Sequence, residues 1–549
     1  MIDPTDPQVE AVAGLLQEYD RLVATAGMAT ALNRLSERLA GAPPSHWQAC
    51  ALGLQQRGAT VASVALLERG VHRAPAEASL RLSLGRALML LDDHAAAELV
   101  LRTVAAPDNE EAITALTASL RNQGKMEEAT WIMADLIRRR PADFDTTFTR
   151  LRFISGCYRQ ALAGEVCEHE LARGLRHPTL LSFAGRMAIT TGRFEQARRH
   201  YLQAIAAGID LNVDFLLQAL ASAQRYQDAA HPDFALFEEH LKRSDLSELG
   251  RAAALFALGK AHDDLGNFAA AAAALSEGNA LVRANLNWTV ADWHAQMQRL
   301  MTTRYPVSES EAARRFTPVF VVGLPRSGTT LVADRLGRHP QLRNRGELNL
   351  VPYLDQWVSN SGQAQNPRLL EAVSRFAAAQ LHQDDAPRLY YLDKNPLNFR
   401  FLGLIAAVLP RSRIIWCRRN PRDTALSIWS QYFARGDDNG YAYSFADIAA
   451  YAAGCERLMR HWQHSLPLPI CEVQYENLIQ APKEGFSRLM QFLGLPDYEL
   501  DPRSPTEARS EVITTASAWQ ARQPIYTRSV ERWRPYAPYL PDLIRLLPE

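Results

Sequence analysis

Over the first three hundred residues apolar positions recur at helical spacing, as at Leu82, Leu84, Ala87, Leu88 and Leu91, and β-branched runs are few. A short pattern punctuates these helical stretches: a glycine or polar turn residue, four residues that often include an aromatic or Met, then Ala. Gly124-Lys-Met-Glu-Glu-Ala129, Gly192-Arg-Phe-Glu-Gln-Ala197 and Gly266-Asn-Phe-Ala-Ala-Ala271 are the clearest copies. Asp92–Ala97, Gly156–Ala161 and Gln224–Ala229 are weaker ones. Near residue 317 the pattern changes. Pro318-Val-Phe-Val-Val-Gly323 is a continuous β-branched run closed by glycine, which predicts a buried parallel strand. Further short runs at Leu389–Leu392, Arg413–Cys417 and Ile470–Val473 are separated by helical patterns. Strand alternating with helix predicts an α/β domain with a mainly parallel sheet.

The copies of the short pattern start at 92, 124, 156, 192, 224 and 266, mostly 32 to 36 residues apart. A period near 34 is that of tetratricopeptide repeats, and the region about Arg57–Leu281 resembles such a solenoid of about six or seven helical hairpins. In this reading the glycine ends one helix in a tight turn, and the alanine lets the next helix approach closely. Pro107 and Pro141 fall where such repeats stop their second helix. The fold class expected is therefore an all-α tetratricopeptide-like solenoid followed by an α/β, P-loop-like domain with a mainly parallel sheet. A solenoid offers a long concave surface for a protein or peptide ligand. Docking within the chain and dimerisation are equally open at this level.

Composition narrows the function classes. The 549 residues carry 60 Lys+Arg and 60 Asp+Glu, a formal net charge of zero. That balance argues against a nucleic-acid polymer as partner and against a polybasic membrane anchor, but not against a locally basic pocket. Met-Ile-Asp-Pro-Thr-Asp-Pro has no basic start and no apolar core, so no signal peptide is expected. No run of about 18 apolar residues occurs, so no membrane span is expected either. The six cysteines (Cys50, Cys157, Cys167, Cys417, Cys455, Cys471) form no C-x-x-C pair and read as reduced thiols of a cytoplasmic protein.

The first predicted strand runs into Gly323-Leu-Pro-Arg-Ser-Gly-Thr-Thr330 and then into a helical pattern. Strand, glycine-flanked loop and helix converge backbone N–H groups on one anion. The two glycines have Walker spacing, but Thr329 stands where the lysine of a nucleotide triphosphatase belongs, and the basic group sits earlier, at Arg326. A small-molecule kinase is thereby disfavoured.

This octet resembles the phosphate loop of the sulfotransferase family. The resemblance implies that Pro325, Arg326, Ser327, Gly328, Thr329 and Thr330 bind the 5′-phosphosulfate of PAPS (3′-phosphoadenosine 5′-phosphosulfate). Trp416-Cys-Arg-Arg-Asn-Pro-Arg-Asp-Thr-Ala-Leu-Ser427 is similar to the family's 3′-phosphate motif, with Arg419 and Ser427 in the paired places. Tyr475-Glu-Asn-Leu478 resembles its segment with a tyrosine at the adenine. The likeness covers about Phe316–Leu540. It implies three regions: 1–50, an N-terminal helical cap; 51–300, the repeat solenoid; and 315–549, a PAPS-dependent sulfotransferase domain.

From Arg326 onward the chain is most similar to the tyrosylprotein branch. His339-Pro340 matches its H-P pair, Glu347 its catalytic base, and Lys394 in Asp393-Lys-Asn-Pro the lysine on the transferred sulfuryl group. The roles implied are leaving-group and equatorial-oxygen stabilisation by Arg326 and Lys394, and proton acceptance by Glu347, with PAP as product and no metal required. A phenol near pKa 10 and a glutamate near 4.3 differ by about 5.7, or about 8 kcal/mol against full prior transfer, so proton loss is expected to be concerted with S–O bond formation. Arg418 and Arg422 are expected to add positive charge around the nucleotide. The tail resembles the end of repeat-containing sulfotransferases, implying that Ser517 and Trp519 close over the nucleotide and that Arg532 adds charge at the 3′-phosphate. The C-terminal G-x-x-G-x-x-K of the family's cytosolic branch is missing, as are the anchor and disulfides of the Golgi enzymes. The acceptor expected is a peptide, a protein or a hydroxylated small molecule. A repeat scaffold with an inactive transferase domain is the remaining alternative, and the intact Arg326, Glu347, Lys394, Arg419 and Ser427 argue against it.

Overall fold

The computed structural model describes residues 7–212, 215–385, 387–433, 437–496, 498 and 529–548. Contacts divide the chain into two units, Met1–Ala142 with Gln383–Asp385, and Asp143–His382 with Ala386–Glu549. Among the described residues, 17 α-helices precede the sheet, from Pro7–Ala26 to Val290–Thr302.

The first unit is built from helical hairpins such as Ala78–Leu90 with His94–Arg102 and Glu110–Asn122 with Met126–Arg139. The alanine that closes the sequence pattern is fully buried in each (Ala97, Ala129), and so are Ala197 and Ala271 in the second unit. A methyl group there leaves room for the neighbouring helix backbone. Within this unit Asp384 accepts from the backbone N–H of Glu127 (2.7 Å) and Glu128 (2.8 Å), at the start of the Met126–Arg139 helix.

Two of the weaker copies are out of register. Gly156 ends the helix Phe144–Gly156, while the left-handed turn residue is Tyr158 and the buried alanine is Ala163. The copy at Gln224 begins no helix at all. Tyr226 turns inward to donate to Asp233 (2.7 Å), and the next helix waits for Pro232 at its first position.

Among the described residues of the second unit, nine helices from Phe144–Gly156 to Val290–Thr302 lead into five strands: β1 (Thr317–Gly323), β2 (Leu342–Asn344), β3 (Tyr390–Asp393), β4 (Arg413–Arg418) and β5 (Ile470–Gln474). The order is β2-β3-β1-β4-β5 and every pair is parallel. Four strands follow the predicted runs within a residue or two. β2, three residues with Arg343 at its centre, is too short and polar to announce itself.

One face of the sheet packs Val319, Val321 and Ile415 against Val332, Leu336, Phe486 and Leu489 from the helices Thr329–Gly337 and Pro482–Leu493. The other face carries Phe320, Val322, Ile414 and Trp416 into a larger core that also holds Phe256, Leu275, Trp293 and Met297. The last repeat-side helices and the sheet therefore share one hydrophobic core. Polar contacts reinforce it: Asn279 Nδ2 donates to the Trp429 carbonyl (3.0 Å), and Arg283 pairs with Asp447 (2.7 Å). No helix among the described residues is long and apolar enough to cross a membrane.

Candidate active site

With β1 in the centre of the order, the C-terminal ends of β3, β1 and β4 lie side by side, where open parallel sheets bind ligands. The loop after β1 is the expected phosphate loop. Arg326 takes φ +70° and Gly328 φ +99°, so the backbone turns its N–H groups inward ahead of the Thr329–Gly337 helix. Gly328 has to be glycine twice over. Its φ is left-handed, and a Cβ there would lie 2.5 Å from the ring of Tyr475. Ser327 and Thr329 are buried, and Ser327 Oγ donates to the Leu324 carbonyl (2.7 Å), closing the turn.

The loop after β4 meets it. Arg326 Nε donates to Ser427 Oγ (2.9 Å), and Arg419 Nη1 donates to the Arg326 carbonyl (3.0 Å). The guanidinium of Arg419 stands 5.1 Å from the Tyr475 ring centroid, and Tyr475 Oη shares a hydrogen bond of 2.8 Å with Ser529 Oγ. Arg419 also donates to the Ser529 carbonyl. Its Nε is buried without a partner, and burial pulls its pKa down from the ordinary arginine value. A buried cation with an unanswered N–H, beside a phosphate-type loop and a helix start, fits an anionic nucleotide. Asn420 caps the helix Pro421–Trp429, accepting from Arg422 N (3.0 Å) and Asp423 N (3.1 Å).

The loops after β2 and β3 are laced together by the register of those strands. Asn344 pairs with Leu392, and the ladder continues as Arg345 N to Leu392 O and Lys394 N to Gly346 O, each 2.8 Å. Leu348 N donates to Asp393 Oδ1 (3.1 Å) and Asn395 Nδ2 to the Leu348 carbonyl (3.2 Å). This brings the Lys394 ammonium onto the Glu347 carboxylate. Lys394 is buried and Glu347 keeps 33% of its side chain accessible, so the carboxylate can still meet a group arriving from solvent. Burial lowers the pKa of Lys394; Glu347 and Asp393 oppose that, and Arg326 reinforces it, which puts Arg326 in the same electrostatic neighbourhood. The Asp393 carboxyl, wholly buried behind them, is pushed up to about 7 by desolvation, with the Leu348 N–H and Asn398 holding it down.

Arg326, Lys394, Glu347, Arg419, Ser427 and Tyr475 are thus joined by contacts or by direct electrostatic influence, with Pro325 on the same loop and Thr330 in the first turn of its helix. Arg532 influences Arg419, but its guanidinium pairs with Asp263 of the repeat-side helix Glu248–Asp264 (2.6 Å), which also accepts from Tyr536 Oη. Arg418 and Arg422 turn elsewhere. Arg418 pairs with Glu456 and Glu472 (3.1 and 3.2 Å), and Arg422 donates to the Leu547 carbonyl (3.0 Å) over Trp533. Ser517 and Trp519 lie outside the described residues. Sequence reasoning missed Ser529 and Asp423, which accepts from Glu531 N (2.8 Å) and Trp533 N (3.0 Å). It also missed the Asn420 cap, which the order Asn-Pro-Arg-Asp could have signalled.

Residues 318–499 match the model of the sulfotransferase family. The chain is 30% identical over 377 residues to an uncharacterized protein of Aquifex aeolicus (strain VF5), covering 65% of this chain and 48% of that one. It is 34% identical over 188 residues to a putative protein-tyrosine sulfotransferase of Caenorhabditis briggsae, covering 32% of this chain and 65% of that one. The chain therefore spans about half to two-thirds of the length of these relatives. Among solved structures, the sulfotransferase domain from the Synechococcus PCC 7002 olefin synthase aligns over 45% of this chain and 94% of that one, at 20% identity and a TM-score of 0.30.

Proposed function

We propose that residues 315–549 move a sulfuryl group from PAPS to an acceptor hydroxyl, a tyrosine phenol being the acceptor class favoured by the relatives, and that the solenoid at 51–300 presents the acceptor or a partner protein. PAPS supplies an activated S–O bond: that bond breaks, a new S–O bond forms to the acceptor oxygen, and PAP departs with the electron pair.

This chain's residues divide the remaining work. The β1 loop and the start of its helix offer N–H groups to the 5′ end of the nucleotide, and Arg326 adds a cation held by Ser427. Lys394 supplies the charge that balances negative charge growing on the leaving oxygen and the equatorial oxygens. Arg419, Ser427 and Tyr475 receive the 3′-phosphate and the adenine. Glu347 takes the acceptor proton, and its pairing with Lys394 keeps the carboxylate aimed.

The observation that carries this reading is the Lys394–Glu347 pair just past the ends of β3 and β2, in the electrostatic reach of Arg326. Incubation with ³⁵S-labelled PAPS and a peptide or proteome acceptor tests it. Label transfer is expected from the wild type, and Glu347→Ala and Lys394→Ala should each lose it at least a hundredfold while PAP still binds. Retained turnover in either variant removes that residue's role. Thermal stabilisation by ATP with Mg²⁺ but not by PAP would move the whole assignment to phosphoryl transfer.

A further inference from the structure

Among the described residues, six helical hairpins turn through a left-handed residue two positions before their second helix. Four of these are glycines, Gly58, Gly124, Gly192 and Gly266, with φ between +74° and +78°. A fifth is Asp92, a residue type that tolerates this conformation. The sixth is Tyr158, at φ +59°. A bulky side chain in this region is an outlier, and such outliers persist where something else requires the side chain.

The requirement is visible. The Tyr158 ring packs against the large core that contains Leu348 and Leu350. Its hydroxyl oxygen accepts the backbone N–H of Asn349 at 2.9 Å. Asn349 is the N-cap of the helix Leu350–Ser361, and no side chain of its own caps that helix. Glu347 lies two residues earlier. The loop carrying it is fastened on one side by Asp393 and Asn395, through Leu348, and on the other by Tyr158.

We infer that Tyr158 is a positioning residue: a strained tyrosine in a repeat hairpin holds the Glu347 loop in its working geometry, so the repeat array contributes to catalysis directly. The inference rests on the reading of Glu347 as the proton acceptor. Glycine at this turn would suit the backbone, as it does in four other hairpins, and would leave Asn349 unheld.

The test uses the full chain and three variants. Tyr158→Phe keeps the ring and its packing but removes the acceptor oxygen. Tyr158→Gly relaxes the turn and removes both. Amide hydrogen exchange over residues 346–351 and kcat with its pH profile are measured beside Glu347→Gln. Loss of one hydrogen bond should speed that exchange by about fivefold in Tyr158→Phe and lower kcat by a similar factor, with KM for PAPS unchanged. Tyr158→Gly, which also loses the packing of the ring, should do at least as much, and the lowered kcat of Tyr158→Phe at an unchanged KM is the readout a purely structural residue would not give. Exchange and kcat within twofold of wild type in both variants overturn the inference. So does faster exchange with unchanged kcat in an enzyme that Glu347→Gln inactivates. Full turnover in Glu347→Gln removes the proton-acceptor reading itself, and the exchange data then still decide whether Tyr158 holds the loop.

Discussion

Gly328→Ala isolates what the phosphate loop demands of its backbone. The added Cβ meets two obstacles. The first is conformational: at φ +99° an L side chain costs about 1–2 kcal/mol, as for left-handed backbone in general. The second is steric, since the Cβ falls 2.5 Å from Tyr475 Cδ2 where ordinary contact begins near 3.4 Å. The ring cannot retreat freely, because its hydroxyl is bonded to Ser529 and its face is covered by Arg419, itself bonded to the Arg326 carbonyl. Overpacking of this kind costs about 1–3 kcal/mol. The single variant should therefore lose about 2–5 kcal/mol in urea unfolding, and PAP affinity should fall at least tenfold as Tyr475 and Arg419 are displaced. In a Tyr475→Ala background the overlap disappears and only the backbone cost remains. The double-mutant cycle should then return a coupling of about 1–3 kcal/mol. Coupling below about 0.5 kcal/mol would mean that Gly328 and Tyr475 do not touch as described, and the reasoning would fail.

Two further outcomes follow from buried groups. Asp393 has a folded pKa of about 7, above its unfolded value, so its contribution to stability is complete below about pH 4 and is lost as pH rises through 7. The stability difference between wild type and Asp393→Asn, from urea titrations at pH 5 and pH 8, should therefore move in favour of the variant at the higher pH; a pH-independent difference counts against the burial argument. Gly454→Ala places a Cβ 2.3 Å from Trp293 Nε1 and 2.5 Å from Met297 Sδ, where the helices Phe445–Ser465 and Val290–Thr302 cross. The gain in helix propensity of about 1 kcal/mol should be outweighed by overpacking, for a net loss of about 1 kcal/mol, and a more stable variant would refute that contact.

The repeats were legible because a small residue at a fixed period leaves a mark in the chain, and four strands because β-branched runs between glycines do the same. The error at Gly156 shows the limit of that signal. Glycine marks a left-handed turn only when it occupies the turn, and here Tyr158 does, for a reason 191 residues away in sequence. The Glu347–Lys394 pair could be named from resemblance, but its formation depends on the register of β2 against β3, and β2 is a three-residue strand with no hydrophobic pattern. Ser529, Asp423 and Asp263 act through tertiary contacts, Asp423 on backbone N–H groups, and such partners have no local code. Arg418 and Arg422 illustrate the converse: nearness in sequence to Arg419 says little, because each is claimed by its own acceptors.

The core shared by the sheet and the late repeat-side helices bears on how such proteins can be recombined. The polar stretch at 301–310 looks like a natural place to join a new helical array to the sheet domain. A crossover there would strip Phe256, Leu275, Trp293 and Met297 from beneath the sheet and expose its apolar face. A crossover near Ala142 would keep the second unit's core together and would part the first unit only from Gln383–Asp385. Lineages that trade one array for another should accordingly vary the early hairpins and inherit the later ones together with the parallel sheet.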